Sequence, residues 1–173
     1  MAAHFSTLKT VLGFYRSFFG RRLPFGSESD KLEDIYNYLL IDDLYATSGQ
    51  PSENQLRVIG EAGYNKVINL APTSTLENSV VNEAEILDGL GIEYVHIPVD
   101  FTAPSDEDFD QFVSAVESGE AGRVWVHCAA NMRVSAFTYR YRRSLQQGDA
   151  SGLTGDLHSI WEPVGVWKEF IGR

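Results

Sequence analysis

At 173 residues, 43% hydrophobic and 12% aromatic, the chain is long enough to bury one core and is expected to form one main domain. A single cysteine excludes an internal disulfide and fits a reducing compartment, and no apolar run approaches the roughly 18 residues of a transmembrane helix. The net charge of −10 is uneven: residues 1–26 carry +4 and no acid, leaving −14 on the remainder. An acidic body excludes nucleic acid as an expected partner and leaves any anionic ligand to a local positive site.

Residues 1–25 place Phe5, Leu8, Val11, Leu12, Tyr15, Phe18 and Phe19 three and four apart, with Lys9, Arg16, Arg21 and Arg22 elsewhere around the turn. This predicts an amphipathic helix. Three roles stay open for it: docking on the domain, lying on a membrane surface or partner, or targeting. Leu23 to Ser27 reads as a linker, so 1–26 is set apart from a domain over 27–173. The expected location is cytoplasmic, with peripheral membrane contact kept open by the basic helix.

A first short strand is expected at Leu44–Thr47, followed by a helix capped by Ser52 and ending before Gly63. Lys66–Leu70 reads as a strand, Leu76–Leu90 as a helix stopped by Gly91, and Ile92–Val99 as the next strand. Ser105 with Asp108 resembles a capping box opening a helix whose apolar face is Phe109, Phe112, Val113 and Val116. A strand at Val124–His127, a helix from about Arg133 to Gln147, and a helical tail broken near Pro163 complete the chain. Strands alternating with helices predict an α/β fold: a central, mainly parallel sheet of four to five strands flanked by helices on both faces. Ligands of such sheets bind at the C-terminal ends of strands, where both Asp100 and Cys128 fall.

The stretch from Val124 to Ser135 carries the chemistry. A strand delivers Cys128 to a loop of small residues, Arg133 follows, and a helix begins. Loop N–H groups and the positive helix end make an anion site, and the same field favours thiolate over thiol. Arg133 is placed to fork onto an oxyanion. Strand alternation turns His127 away from the ligand, as a scaffold residue that hydrogen-bonds the loop backbone. Ser135 could donate a hydrogen bond to the sulfur. Tyr45, Phe101 and Tyr139 are aromatic candidates for a cleft wall, although core packing is the commoner role. His96, His158 and the scattered carboxylates lack metal-ligand spacing, so no metal is expected.

His127-Cys128-x-x-Asn131-x-Arg133-x-Ser135 resembles the phosphate-binding loop of cysteine-dependent protein phosphatases of the dual-specificity type. Ala46-Thr47-Ser48-Gly49-Gln50-Pro51, Gly63-Tyr64-x-x-Val67-Ile68-Asn69-Leu70 and Gly91-Ile92-x-Tyr94-x-x-Ile97-Pro98-Val99 resemble a mostly bacterial branch of that superfamily. That branch includes the phosphatase-like domain attached to beta-lactamase-like hydrolases. The resemblance covers about residues 40–145. It implies a phosphomonoester hydrolase that works through a phosphocysteine and needs no cofactor, acting on a phosphorylated protein or small phosphomonoester. It implies Cys128 as nucleophile, Arg133 as oxyanion ligand, and Ala129, Ala130, Asn131, Met132, Val134 and Ser135 as the rest of the phosphate loop. Asp100, just after Ile97-Pro98-Val99, matches the family's general acid; Asp106 and Asp108 are alternatives more suited to capping a helix.

The usual loop has five residues between cysteine and arginine; this one has four, a spacing that related bacterial sequences share. Val134 occupies the usual arginine slot. One helical position is about 100° of rotation, so Arg133 can reach a phosphate only if the loop is wound differently. Asn131 stands where a glycine is usual, and asparagine tolerates the left-handed conformation. Four-residue spacing also resembles rhodanese-type sulfurtransferases, whose cysteine carries a persulfide. A phosphate-binding scaffold without catalysis is the third reading.

Overall fold

The computed structural model describes residues 2–20, 31–74, 76–77, 79–118, 122–145 and 149–173, with the side chains of 2–5 and 18–20 outside the description. The expected linker and the boundary at residue 26 lie outside the described residues. The elements are α1 (Ala2–Gly20), a single 3-10 turn (Leu32–Asp34), β1 (Leu39–Asp42), β2 (Tyr45–Ser48), α2 (Glu53–Glu61), β3 (Tyr64–Asn69) and α3 (Glu83–Gly89). They continue with β4 (Glu93–His96), α4 (Asp106–Glu117), β5 (Arg123–His127), α5 (Met132–Ser144), α6 (Ala150–Ile160) and α7 (Val166–Gly172).

The five strands form one sheet in the order β1-β2-β5-β3-β4, parallel except for the β1–β2 pair. The chemistry-bearing strand, β5, is therefore central. Alternation along it decides what each face receives. Val126 and Cys128 join the larger core with α4, α5, α6 and α7, while Trp125 joins Leu56, Ile59 and Leu87 of α2 and α3 on the other side. Helices thus cover both faces, as the strand–helix alternation predicts. No helix among the described residues is long and apolar enough to cross a membrane.

Local chemistry explains where elements start. Ser52 with Gln55 and Ser105 with Asp108 both form complete capping boxes, so side chains satisfy the first free N–H groups of α2 and α4. Gly91 adopts φ +70°, which ends the helix before it. Pro163 separates α6 from α7.

Three expectations change. The first strand is the second of a hairpin: β1 precedes it, joined by a turn in which the Leu44 N–H donates to Asp42 Oδ1 at 2.8 Å. The helix expected over Leu76–Leu90 is shorter, beginning at Glu83. Ahead of it Ser74 and Ser79 bond the local backbone, Ser74 Oγ accepting from Glu77 N and Ser79 Oγ donating to Pro72 O, which competes with helix formation. Helix α1 docks through its threonines, and the described part of its apolar stripe does not take part. Thr10 is buried, donates to Ile160 O and accepts from Asn37, while Thr7 Oγ1 accepts from Glu162 N. Leu8, Val11, Leu12 and Tyr15 remain 56%, 40%, 60% and 54% exposed.

Candidate active site

Strand β5 carries Cys128 to 1% exposure at its C-terminal end, on the face covered by α5. The chain then turns within three residues. Asn131 takes φ 64°, ψ 3°, the left-handed conformation, and α5 starts at the next residue. The Asn131 amide does not cap that helix; it donates to Asn37 O at 2.8 Å and Thr47 Oγ1 at 3.0 Å, tying the turn to neighbouring segments. The Ala129 carbonyl accepts from Gln50 N at 3.1 Å and the Ala130 carbonyl from Asn37 Nδ2 at 3.0 Å. A Cβ on Gly49 would stand 2.6 Å from Tyr36 Cδ1 and 2.9 Å from Ala129 O, so only glycine lets this segment brace the loop so closely.

That winding settles where Arg133 goes. It lies in the first turn of α5, 4% exposed, with Nη1 and Nη2 donating to the two oxygens of Glu77 at 3.0 and 2.9 Å. Burial alone would ease its proton off; the Glu77 carboxylate, together with the charge of Cys128 and a hydrogen bond with it, reverses this and raises the guanidinium pKa. The Arg133 Nε–H is buried without a hydrogen-bond partner among the described residues, a donor free for a ligand. The ring of Phe101 lies 5.2 Å from the guanidinium carbon and packs on Trp161 and Trp167 at the edge of the core.

Asp100 is exposed at the loop after β4. Its carboxylate accepts from the N–H and hydroxyl of Thr102, at 2.7 and 2.8 Å. These bonds, with the charge of Arg133, hold its pKa below the ordinary carboxylate value. Asp108 completes the cap of α4, and Asp106 pairs with Arg140 and Arg173, so both serve structure.

His127 is fully buried and faces away from the sulfur, as alternation predicts, but its partner is a side chain and not the loop backbone. Nε2 lies 2.8 Å from Glu83 Oε1. Glu83, itself buried, also accepts from Gln50, Asn69 and Tyr94. Burial pushes the Glu83 carboxyl up; the charge of His127 and these hydrogen bonds outweigh it and hold the pKa below the ordinary 4.5. Ser135 does not turn to the sulfur either: its hydroxyl donates to Met132 O and accepts from Trp161 Nε1. Val134 is in the core, Met132 packs at its edge, Tyr45 bonds Thr138, and Tyr139 stacks against Arg143.

Residues 29–159 match the protein family described as "DSP-PTPase phosphatase fused to NAD+ Kinase". The chain belongs to this family. It is 33% identical over 95 residues to the beta-lactamase hydrolase-like protein of Xylella fastidiosa, covering 54% of this chain and 22% of that protein. The chain thus spans about a fifth of the length of the curated relatives it matches. Among solved structures, a candidate phosphatase (DUF442) from Shewanella putrefaciens CN-32 is 29% identical with a TM-score of 0.71, over 82% of this chain and 92% of that one. The core catalytic domain of the PP-IP phosphatase SIW14 from S. cerevisiae shares the fold, with a TM-score of 0.66 at 13% identity over 80% and 85% of the two chains.

Glu77, Glu83 and Asn37 escape sequence reading. Each is one polar residue among many, distant along the chain from Cys128, and no periodicity marks it. Gln50 lies in a quoted motif, yet only the fold gives it a role. Because Glu83 is depressed by its partners, its contribution to stability is present above the ordinary carboxylate pKa and is lost as pH falls through its folded value. Removing one partner of a buried pair costs about 3–5 kcal/mol. Glu83→Ala is expected to lose that much in urea denaturation at pH 7. The gap between wild type and Glu83→Gln should shrink steadily below the ordinary carboxylate range; a gap independent of pH would contradict an ionised, stabilising Glu83.

Proposed function

We propose that this protein hydrolyses phosphomonoesters, on a phosphorylated protein or a small molecule, through a phosphocysteine intermediate. The observation that carries the reading is Arg133, one position early but buried in the first turn of the helix that follows Cys128, with its Nε–H unpartnered among the described residues. The Cys128 thiolate attacks phosphorus in line, forming an S–P bond as the bond to the leaving oxygen breaks. Loop N–H groups and Arg133 stabilise the equatorial oxygens. Asp100 gives its proton to the leaving oxygen; a bound phosphate dianion beside it opposes the Thr102 and Arg133 stabilisation and favours the protonated acid. Water then attacks phosphorus and releases phosphate, restoring the thiolate.

The membrane contact has its own support. The exposed stripe Leu8, Val11, Leu12 and Tyr15 lies beside exposed Lys9 and Arg16, a combination suited to an anionic bilayer surface. The full chain is expected to co-sediment with vesicles containing anionic lipid and to lose that binding in a Leu8→Glu, Leu12→Glu double variant. Equal binding by the two proteins would remove this partner.

For the chemistry, Cys128→Ser is expected to abolish turnover of an aryl phosphate. Asp100→Asn should lower turnover by roughly 10²–10⁴-fold for alkyl esters, whose leaving groups need protonation, and less for activated aryl esters. Phosphate release surviving the loss of Cys128 would rule the mechanism out. Sulfur transfer from thiosulfate to cyanide without phosphate release would replace it with the sulfurtransferase reading. Phosphate binding with neither activity would leave a scaffold.

A further inference from the structure

Asn37 precedes Cys128 by most of the domain, yet its side chain ends on the phosphate loop. Its Nδ2 donates to Ala130 O at 3.0 Å and to Thr10 Oγ1 of α1 at 3.1 Å. In return its own carbonyl accepts from Asn131 Nδ2 at 2.8 Å. Asn37 and Asn131 are the two non-glycine residues with positive φ among the described residues, at 51° and 64°, and each amide clasps the other's segment, Asn131 on Asn37 O and Asn37 on Ala130 O. Strained backbone of this kind persists where the surroundings over-determine it, as at ligand sites.

The clasp acts on the part of the loop an oxyanion must meet. A peptide unit is planar and trans, so its C=O and N–H point in opposite directions. Holding the Ala130 carbonyl on Asn37, and the Ala129 carbonyl on Gln50 N, fixes the tilt of two successive loop peptides. A carbonyl released from this hold is free to swing toward the anion site, where its negative end opposes a phosphate. Neighbouring contacts stiffen the support: Gly49 N donates to Tyr36 O at 2.7 Å, and the Tyr36 hydroxyl donates to Thr10 O. Burial pushes the Tyr36 phenol up, and the charge of nearby Cys128 adds to it.

We infer that Asn37 is a positioning residue for the phosphate loop, and that α1, through Thr10, holds the Asn37 amide in place. The role rests on the phosphatase reading above. It makes the N-terminal helix a support of the active site as well as a surface element.

The test uses the full chain, an aryl phosphate as substrate and orthovanadate as oxyanion inhibitor. Asn37→Gly keeps the left-handed backbone without steric cost but deletes the amide. It is expected to weaken vanadate inhibition and lower kcat/KM by roughly tenfold to a hundredfold, the scale of a misplaced site, while circular dichroism and thermal midpoint stay near wild type. Asn37→Ala should show the same kinetic loss with a lower midpoint, and Thr10→Ala a smaller loss of the same kind. Wild-type inhibition and turnover in Asn37→Gly would overturn the role, since backbone conformation alone would then suffice. So would a Thr10→Ala or Asn37→Gly variant whose midpoint falls while vanadate inhibition and kcat are unchanged. A wild-type protein that neither hydrolyses the ester nor binds vanadate overturns the phosphatase reading first, and this role with it.

Discussion

The left-handed turn at Asn131 is the constraint on which the site depends. For most side chains that conformation costs about 1–2 kcal/mol, and for asparagine less. Two hydrogen bonds from its own amide, to Asn37 O and Thr47 Oγ1, each contribute about 0.5–1.5 kcal/mol and offset that cost. The turn reverses the chain in one residue, so α5 can begin at Met132 and place Arg133 in its first turn. Arg133 thus sits just past the loop, buried and paired with Glu77.

Charge around the loop is balanced locally. Arg133 is held by Glu77 and His127 by Glu83, each carboxylate coming from the stretch after β3. In a body that carries −14 outside its first 26 residues, the Glu77 pairing fixes the Arg133 cation without a broad positive surface. On the proposed reading, anion capture falls to short-range donors: the buried, unpartnered Nε–H of Arg133, the loop amides and the start of α5. The Glu83–His127 pair lies on the opposite face of β5 from the sulfur, so it holds the strand end without competing for the ligand.

Much of the fold was legible in the sequence because its signals are local. Ser52 and Ser105 announce the helices they cap, β-branched runs announce β3 and β5, and Asn131 in a glycine slot announces its own conformation. What stayed hidden depends on distant partners. The short edge strand β1 has no alternation to mark it, with Leu40 48% exposed. Serine bonding after Leu70 cancels a helix that periodicity alone predicts. Periodicity also finds the α1 stripe but not its direction, because threonines at 7 and 10 bond the α6 end and turn Leu8, Val11, Leu12 and Tyr15 outward. The same holds in the site: Cys128 and Arg133 read directly from spacing, whereas Glu77, Glu83 and Asn37 become neighbours only after folding.

The central claim is that Arg133, one position early, still ligates an oxyanion held by Cys128. A crystal structure with vanadate tests it most directly. The account predicts vanadium bonded to the Cys128 sulfur, an oxygen within hydrogen-bond distance of Arg133 Nε, and Glu77 still paired with the guanidinium. Vanadate bound with Arg133 turned away, or no vanadate at Cys128 at saturating concentration, would contradict it.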